Sequence, residues 1–165
     1  MEDKENQTGG VCIREAVYGD LEPVMHLYTH LFEDDEQAGA DALEKAWCDI
    51  LDDPRMHFFI LESRAIPISL CVLDIIPNLT RGARPYGLIE NVVTRREYRN
   101  QGFGTVLLGH ALDVAWNNGC YKVMLLTGRI DPAVFRLYEK AGFRRGIKEG
   151  LIAYPPQKET RSASI

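Results

Sequence analysis

Apolar and polar residues alternate along 11–17 (VCIREAV), as in a strand with one covered face. The period then lengthens. Val24, Leu27, Tyr28, Leu31 and Phe32 recur at intervals of three and four, which predicts a helix capped by Asp20, with Pro23 inside its permissive first turn. A second helix is expected from Asp41, where Glu44 three residues on completes a capping-box pattern and Leu43, Ala46, Trp47, Ile50 and Leu51 form the buried stripe. Two β-rich runs follow, 57–63 (HFFILES) and 68–76 (ISLCVLDII), joined by RAIP as a hairpin or tight connection. A Pro-, Gly- and Arg-rich loop (77–87) leads into 88–94 (LIENVVT), the third strand of a meander.

Helical spacing returns over 102–118, with Leu107, Leu108, Ala111, Leu112 and Ala115 on one side and Gly119 placed to end the helix. The most apolar run, 121–128 (YKVMLLTG), comes directly after it. Strand, helix and strand in succession predict a parallel pair at the centre of the sheet. Asp131 and Pro132 suit the cap and first turn of a last helix, which turns Val134, Leu137, Tyr138 and Ala141 inward and stops at Gly142. Residues 150–156 (GLIAYPP) read as a final strand. The fold class expected is therefore mixed α/β: a central, twisted, mostly antiparallel sheet with one parallel pair, flanked by about four helices. Residues 11–156 read as a single domain, between a disordered start (1–10) and a mobile tail (157–165).

Composition narrows the function. The 165-residue chain is 45% hydrophobic, enough for one domain's core, and its net charge of −5 argues against general affinity for nucleic acid or an anionic membrane. No apolar run approaches the roughly 18 residues of a membrane span, and the polar first ten residues are unlike a secretory signal, so a cytoplasmic protein is expected. Cys12, Cys48, Cys71 and Cys120 are scattered with no CxxC pair, and His26 and His30 lack a third ligand nearby. Buried thiols in a reducing compartment, and no metal, are the expectation.

The distinctive segment is YRNQGFG (98–104), where a strand ends, arginines follow, and Gly102 and Gly104 open a helix. First-turn helix amides have no internal partners and carry positive partial charge, so they attract phosphate. Glycine leaves room for it. A flexible turn beside a solvated basic cluster is the competing reading. The dinucleotide fingerprint fails because residue 107 is Leu, and no Gly-Lys-Ser/Thr of a nucleotide-binding loop is present.

Arg99, Gly102 and Gly104 form an Arg/Gln-x-x-Gly-x-Gly/Ala pattern. With LIENVV before it and LYEKAGF (137–143) after the next strand, the chain resembles the GCN5-related N-acetyltransferase (GNAT) superfamily over 88–143. The resemblance implies a sheet whose parallel pair splays apart. It implies that the amides of Gln101, Gly102, Phe103, Gly104 and Thr105 cradle the diphosphate of acetyl-CoA, the cosubstrate. The pantetheine arm would lie like an added strand along Asn91, Val92, Val93 and Thr94, with an amide near Val92 or Val93 polarising the thioester carbonyl. Family members are often dimers, so a homodimer enters the expectation.

An alkyl amine is almost wholly protonated at pH 7, so its attack needs a proton acceptor. Glu90 is the family-matched base, directly or through water. Strict alternation would put Ile89, Asn91 and Val93 on one face and Glu90, Val92 and Thr94 on the other, leaving Glu90 either at a wet site or as an ordinary surface residue. Tyr138 matches the family's general acid for the leaving thiolate; packing on the last helix is its alternative role. Where many members carry Asn seven residues before that Tyr, this chain has Asp131, which the N-cap explains. Arg81, Arg84 and Tyr86 lie where many members build acceptor contacts, or in a solvated loop. Arg95 and Arg96 face either the CoA 3′-phosphate or solvent. IEN, GCYK and the YEK-GF ending also resemble the glucosamine 6-phosphate N-acetyltransferases, which makes an amino sugar phosphate one acceptor and a peptide amine or other small metabolite another. A noncatalytic acyl-CoA-binding module is the alternative class, and it would need neither Glu90 nor Tyr138.

Overall fold

β1 (Val11–Glu15), β2 (Met56–Ser63), β3 (Ile66–Ile76) and β4 (Tyr86–Thr94) pair antiparallel in chain order, and β5 (Val123–Leu125) joins β4 in parallel. The computed structural model describes residues 10–31 and 38–155. The expectations for residues 1–9, for Phe32 and for the tail 157–165 lie outside them. The β2–β3 hairpin closes through Arg64 and Ala65, both at positive φ (51° and 61°). A two-residue connection demands this, because its backbone must match the right-handed strand twist. The parallel step from β4 to β5 needs a crossover, which α4 (Phe103–Asn117) supplies.

Both sheet faces are covered. α1 (Leu21–Tyr28) and α2 (Ala40–Asp52) bury Val24, Leu27 and Trp47 against Phe58, Ile60, Leu70, Val72 and Val93. α4 buries Leu107, Leu108, Ala111 and Ala115 against Phe59, Leu61, Cys71, Leu73 and Ile89. Central strands buried on both sides explain why β2 and β3 read as nearly unbroken apolar runs. Gly104 and Gly109 cost α4 about 1 kcal/mol each relative to alanine. Burial of Leu107 and Leu108 returns about 1.5–3 kcal/mol apiece, so packing decides that this segment is helical. α5 (Pro132–Lys140) lies on the α4 side, where Leu137, Tyr138 and Phe143 join the core.

Several local expectations change. Asp20 does not cap α1. Its carboxylate accepts from the Val17 amide (2.8 Å) and takes a two-pronged bond from Arg14 (2.6 and 2.8 Å), which also reaches Glu62. α2 starts at Ala40 behind Gly39 with no side-chain cap, so the Asp41–Glu44 box does not form. The 77–87 loop holds a one-turn helix, α3 (Thr80–Ala83). β5 is shorter than the apolar run predicts, because it parts from β4 after Leu125.

The predicted strand at 150–156 does not form over its described part: 150–155 is unpaired, with Leu151, Ile152 and Tyr154 exposed. β-propensity records fit to a pleated, half-covered surface, and a three-residue edge strand offers little of one. Gly150 lies beside Leu126, just past the end of β5. A Cβ there would stand 2.6 Å from the Leu126 Cδ2.

The Arg14 hydrogen bond holds the Asp20 carboxyl below the usual 3.8, against the opposing effect of burial. Asp20→Asn is therefore expected to cost about 1–2 kcal/mol at neutral pH, since a charge-assisted bond is lost at a partly solvated arginine. A depressed folded pKa adds stability above the unfolded value and loses it as pH falls through the folded one. Urea unfolding should thus show wild type and variant converging as the pH drops from about 4 downward.

Candidate active site

β4 contains the feature that builds the site. Against β3, Val72 pairs with Glu90 and Leu70 with Val93, so Asn91 and Val92 together face Cys71 alone. This is a β-bulge, with Asn91 in the left-handed region at φ 55°. Asparagine is among the few side chains that tolerate that conformation. The extra residue shifts the alternation by one, which overturns the simple two-face reading. Ile89 packs on the α4 face, while Val93 packs on the α1–α2 face. Glu90, opposite Val72, lies on the α1–α2 side and is exposed, so its carboxylate carries no burial cost.

After Ile89 pairs with Leu125, the outer edge of β4 has no neighbouring strand. The gap is a cleft of about 740 Å³. It runs from Gly102–Thr105 at the start of α4, along Glu90–Thr94, to Tyr138 on α5. Ser69, fully buried, donates to the Val93 carbonyl (2.7 Å) and meets the Thr94 hydroxyl (2.8 Å), fixing the end of β4. Arg99 donates to the Thr94 carbonyl (3.0 Å) and to the His30 carbonyl (2.8 Å), so it ties β4 to the end of α1. Arg129, on the far wall, donates to the next carbonyl, Leu31 (2.9 Å). Neither this second tie nor the part of Asn100 in the cleft wall was legible in the sequence.

The two glycines have different reasons. Gly102 is the N-cap of α4 at φ 89°, a conformation that strains any side chain. Gly104 is buried, and a Cβ there would stand 3.1 Å from the Leu137 Cδ1 and 3.6 Å from the Thr94 hydroxyl. No side chain caps α4. Its ladder begins with Val106 N–H to the Gly102 carbonyl (3.1 Å), which leaves the Phe103, Gly104 and Thr105 amides without helical partners. Gln101 folds back onto the Glu97 carbonyl (2.9 Å) and its side chain does not line the cleft.

Tyr138 lines the cleft half-buried, edge-on to Phe143. Burial raises its phenol pKa above 10; the Arg129 charge works against this and the Glu90 charge adds to it. Glu90 and Tyr138 thus share one electrostatic environment across the gap. Tyr28 reaches the bulge from α1. Burial pushes its pKa up, while a hydrogen bond with the Asn91 side chain opposes the shift.

Other candidates are elsewhere. Asp131 caps α5 by accepting from the Ala133 amide (2.8 Å), as expected. Arg84 donates to the Gly119 and Cys120 carbonyls (both 3.1 Å), and Tyr86 packs on Tyr121 beneath the Lys122 ammonium. Four residues of extended chain separate Tyr86 from Glu90, about 13 Å. Neither Arg84 nor Tyr86 meets the cleft. Arg95 is tied to the Pro67 carbonyl (2.8 Å). Cys71 is fully buried and its pKa is pushed up to about 12, so it holds no thiolate at neutral pH. Among the described residues, no three His, Cys, Asp or Glu side chains converge as a metal site.

The sequence model of the Acetyltransferase (GNAT) family matches residues 21–143, which include the bulge, the α4 entrance and Tyr138. The chain belongs to this family. A protein of Agrobacterium tumefaciens strain C58, assigned to the acetyltransferases, is 38% identical and superposes with a TM-score of 0.81 over 87% of this chain and 99% of that one. A transcriptional regulator from Bacillus halodurans C-125 is 28% identical, with a TM-score of 0.77 over 87% and 99% of the two chains. Among characterised relatives, the glucosamine 6-phosphate N-acetyltransferase of Trypanosoma brucei brucei is 40% identical over 72 residues. That match spans 44% of this chain and about half (47%) of the relative. The match contains the β4–β5 pair that parts after Leu125, while 150–155 lies beyond the matched region.

Proposed function

We propose that the protein transfers the acetyl group of acetyl-CoA to a primary amine by direct attack, and that the amine belongs to an amino sugar phosphate such as glucosamine 6-phosphate. One observation carries the reading: a single cleft joins the uncapped entrance of α4 to Glu90 and Tyr138 along an unpaired strand edge. A diphosphate fits that entrance, because free amides at the positive end of a helix face the cleft and no capping side chain competes. The open edge of β4 at Val92–Thr94 suits the amides of the pantetheine arm as a missing strand would. The acceptor class draws support from the Trypanosoma relative.

Acetyl-CoA supplies an activated acyl thioester. Glu90 accepts the amine's proton, directly or through water, so that a neutral nitrogen attacks. A backbone amide at Val92 or Val93 takes the negative charge that develops on the carbonyl oxygen. As the carbon–nitrogen bond forms and the carbon–sulfur bond breaks, Tyr138 gives its phenolic proton to sulfur, and the surplus proton on nitrogen passes through water to the phenolate, restoring the phenol. Cys71 and Cys120 are buried, and Cys12 and Cys48, exposed against expectation, do not line the cleft, so no thiol is placed for a covalent route; unpaired thiols suit the cytoplasm. A homodimer is supported by the outer edge of β5, which pairs with no further strand among the described residues and where Met124 is exposed.

The test is release of free CoA thiol on mixing acetyl-CoA with amino sugar phosphates and peptides in parallel. Turnover is expected, fastest with the sugar phosphates, and Glu90→Gln is expected to lower kcat about 10–100-fold. The regulator-like neighbour favours a second reading, an acyl-CoA-binding module. Tight acetyl-CoA binding with no thiol release for any amine would establish that one instead.

A further inference from the structure

The wall that faces β4 across the cleft carries a cation at the reacting end. Thr127 and Arg129, just past β5, both line the cleft, and the Arg129 amide donates to the Thr127 hydroxyl (3.2 Å), which shapes the turn between them. Nη2 of Arg129 donates to the Leu31 carbonyl (2.9 Å). The side chain is otherwise exposed: among the described residues, Nε and Nη1 have no partner and no carboxylate pairs with the guanidinium. The Arg129 charge acts on the Tyr138 phenol ahead of that of Glu90, which places the cation, the phenol and the carboxylate at one end of the cleft. The other arginines and the lysine of the lining are turned elsewhere. Arg99 is committed to the Thr94 and His30 carbonyls, while Arg136 and Lys140 leave α5 about 160° around the helix axis from Tyr138.

We propose that Arg129 is a specificity residue for the acceptor: its guanidinium holds the phosphate of an amino sugar phosphate while the amine lies at Glu90. This rests on the acceptor reading given above. An amino sugar phosphate carries its amine and its phosphate at different ends of one ring, so an acceptor with its nitrogen beside Glu90 on β4 presents its phosphate toward another wall. Arg84 and Tyr86, the residues expected to meet the acceptor, do not line the cleft, whereas Arg129 does. The bond to Leu31 prepares Arg129 for the task. It fixes one fork of the guanidinium and leaves the other free, and a free fork of parallel donors matches two oxygens of a phosphate monoester. The diphosphate of acetyl-CoA has its own donors in the amides that open α4, at the other end of the cleft.

Steady-state kinetics with acetyl-CoA and two acceptors, glucosamine 6-phosphate and glucosamine, test the assignment. Wild type is expected to favour the phosphorylated sugar about thirtyfold or more in kcat/KM, as charge-assisted bonds to one phosphate imply. Arg129→Gln should bring that preference to within about threefold, chiefly by raising KM for the phosphorylated sugar. Arg129→Lys should keep part of it, because the charge stays and the fork is lost. A residue that only ties the cleft wall to Leu31 would act on both acceptors alike. An equal loss for the two sugars in the Gln variant, or a preference that survives it, therefore overturns the assignment. Wild-type turnover of both sugars with no preference instead overturns the acceptor reading on which it rests.

Discussion

Tyr138→Phe is expected to lower kcat about a hundredfold or more while CoA affinity by calorimetry stays within about twofold. The substitution removes one oxygen and leaves the ring against Phe143, so the α5 packing survives. It removes the group proposed above to protonate the leaving sulfur. Without it, the thiolate must depart unprotonated or wait for water, and the barrier rises only in the step that breaks the carbon–sulfur bond. The pH dependence has a definite sign. An acid works in its protonated form, and burial, reinforced by the Glu90 charge, keeps the Tyr138 phenol above the ordinary value of 10. Tyr138 therefore imposes no loss of activity between neutrality and about pH 10, and a decline only above it. An unchanged kcat in the Phe variant would reduce Tyr138 to a packing residue.

Gly104→Val is expected to weaken acetyl-CoA binding about a hundredfold or more, because its methyl groups would cover amides that each make a charge-assisted bond. It should also destabilise the fold by about 1–3 kcal/mol: the Cβ already meets Leu137 at 3.1 Å, and two further carbons overpack the α4–α5 contact. Gly104→Ala separates the two effects. It adds only the Cβ, Leu137 yields by a few tenths of an ångström, and the gain in helix propensity of about 1 kcal/mol offsets the contact. The Ala variant should melt near wild type and lose less affinity. Acetyl-CoA binding at wild-type strength in the Gly104→Val variant would show that the diphosphate does not sit at this entrance.

Much of the molecule was legible because its signals are local or periodic. The change from a period of two to one of three and four marked β1 and α1, and Asp131 with Pro132 marked the start of α5 to the residue. The motif spacing Arg99-x-x-Gly102-x-Gly104, read with LYEKAGF, pointed to the family and to one end of the cleft.

Other features escaped because they depend on what lies across space. The bulge at Asn91 and Val92 exists only as a count of residues against β3, and no alternation pattern in β4 alone reveals it. It decides that Val93 packs on the same side of the sheet as Glu90 and not opposite it. Arg84 and Tyr86 are acceptor candidates because they lie in the loop where many family members build acceptor contacts, yet neither lines the cleft, since an extended strand carries them away from Glu90. Arg99 and Arg129 turned out to join β4 and the β5–α5 loop to neighbouring carbonyls at the end of α1, 69 and 98 residues distant.

Sequence alone thus determined the order of the main elements from β1 to α5, α3 apart, and the glycine entrance of α4, since propensity, capping and period act within a few residues. Through the family resemblance it pointed to Glu90 and Tyr138, which line one cleft. Only the tertiary structure decided where β4 and β5 part and which side of β4 each residue faces. These are properties of pairing between distant segments, where a one-residue shift in register reverses every side chain beyond it.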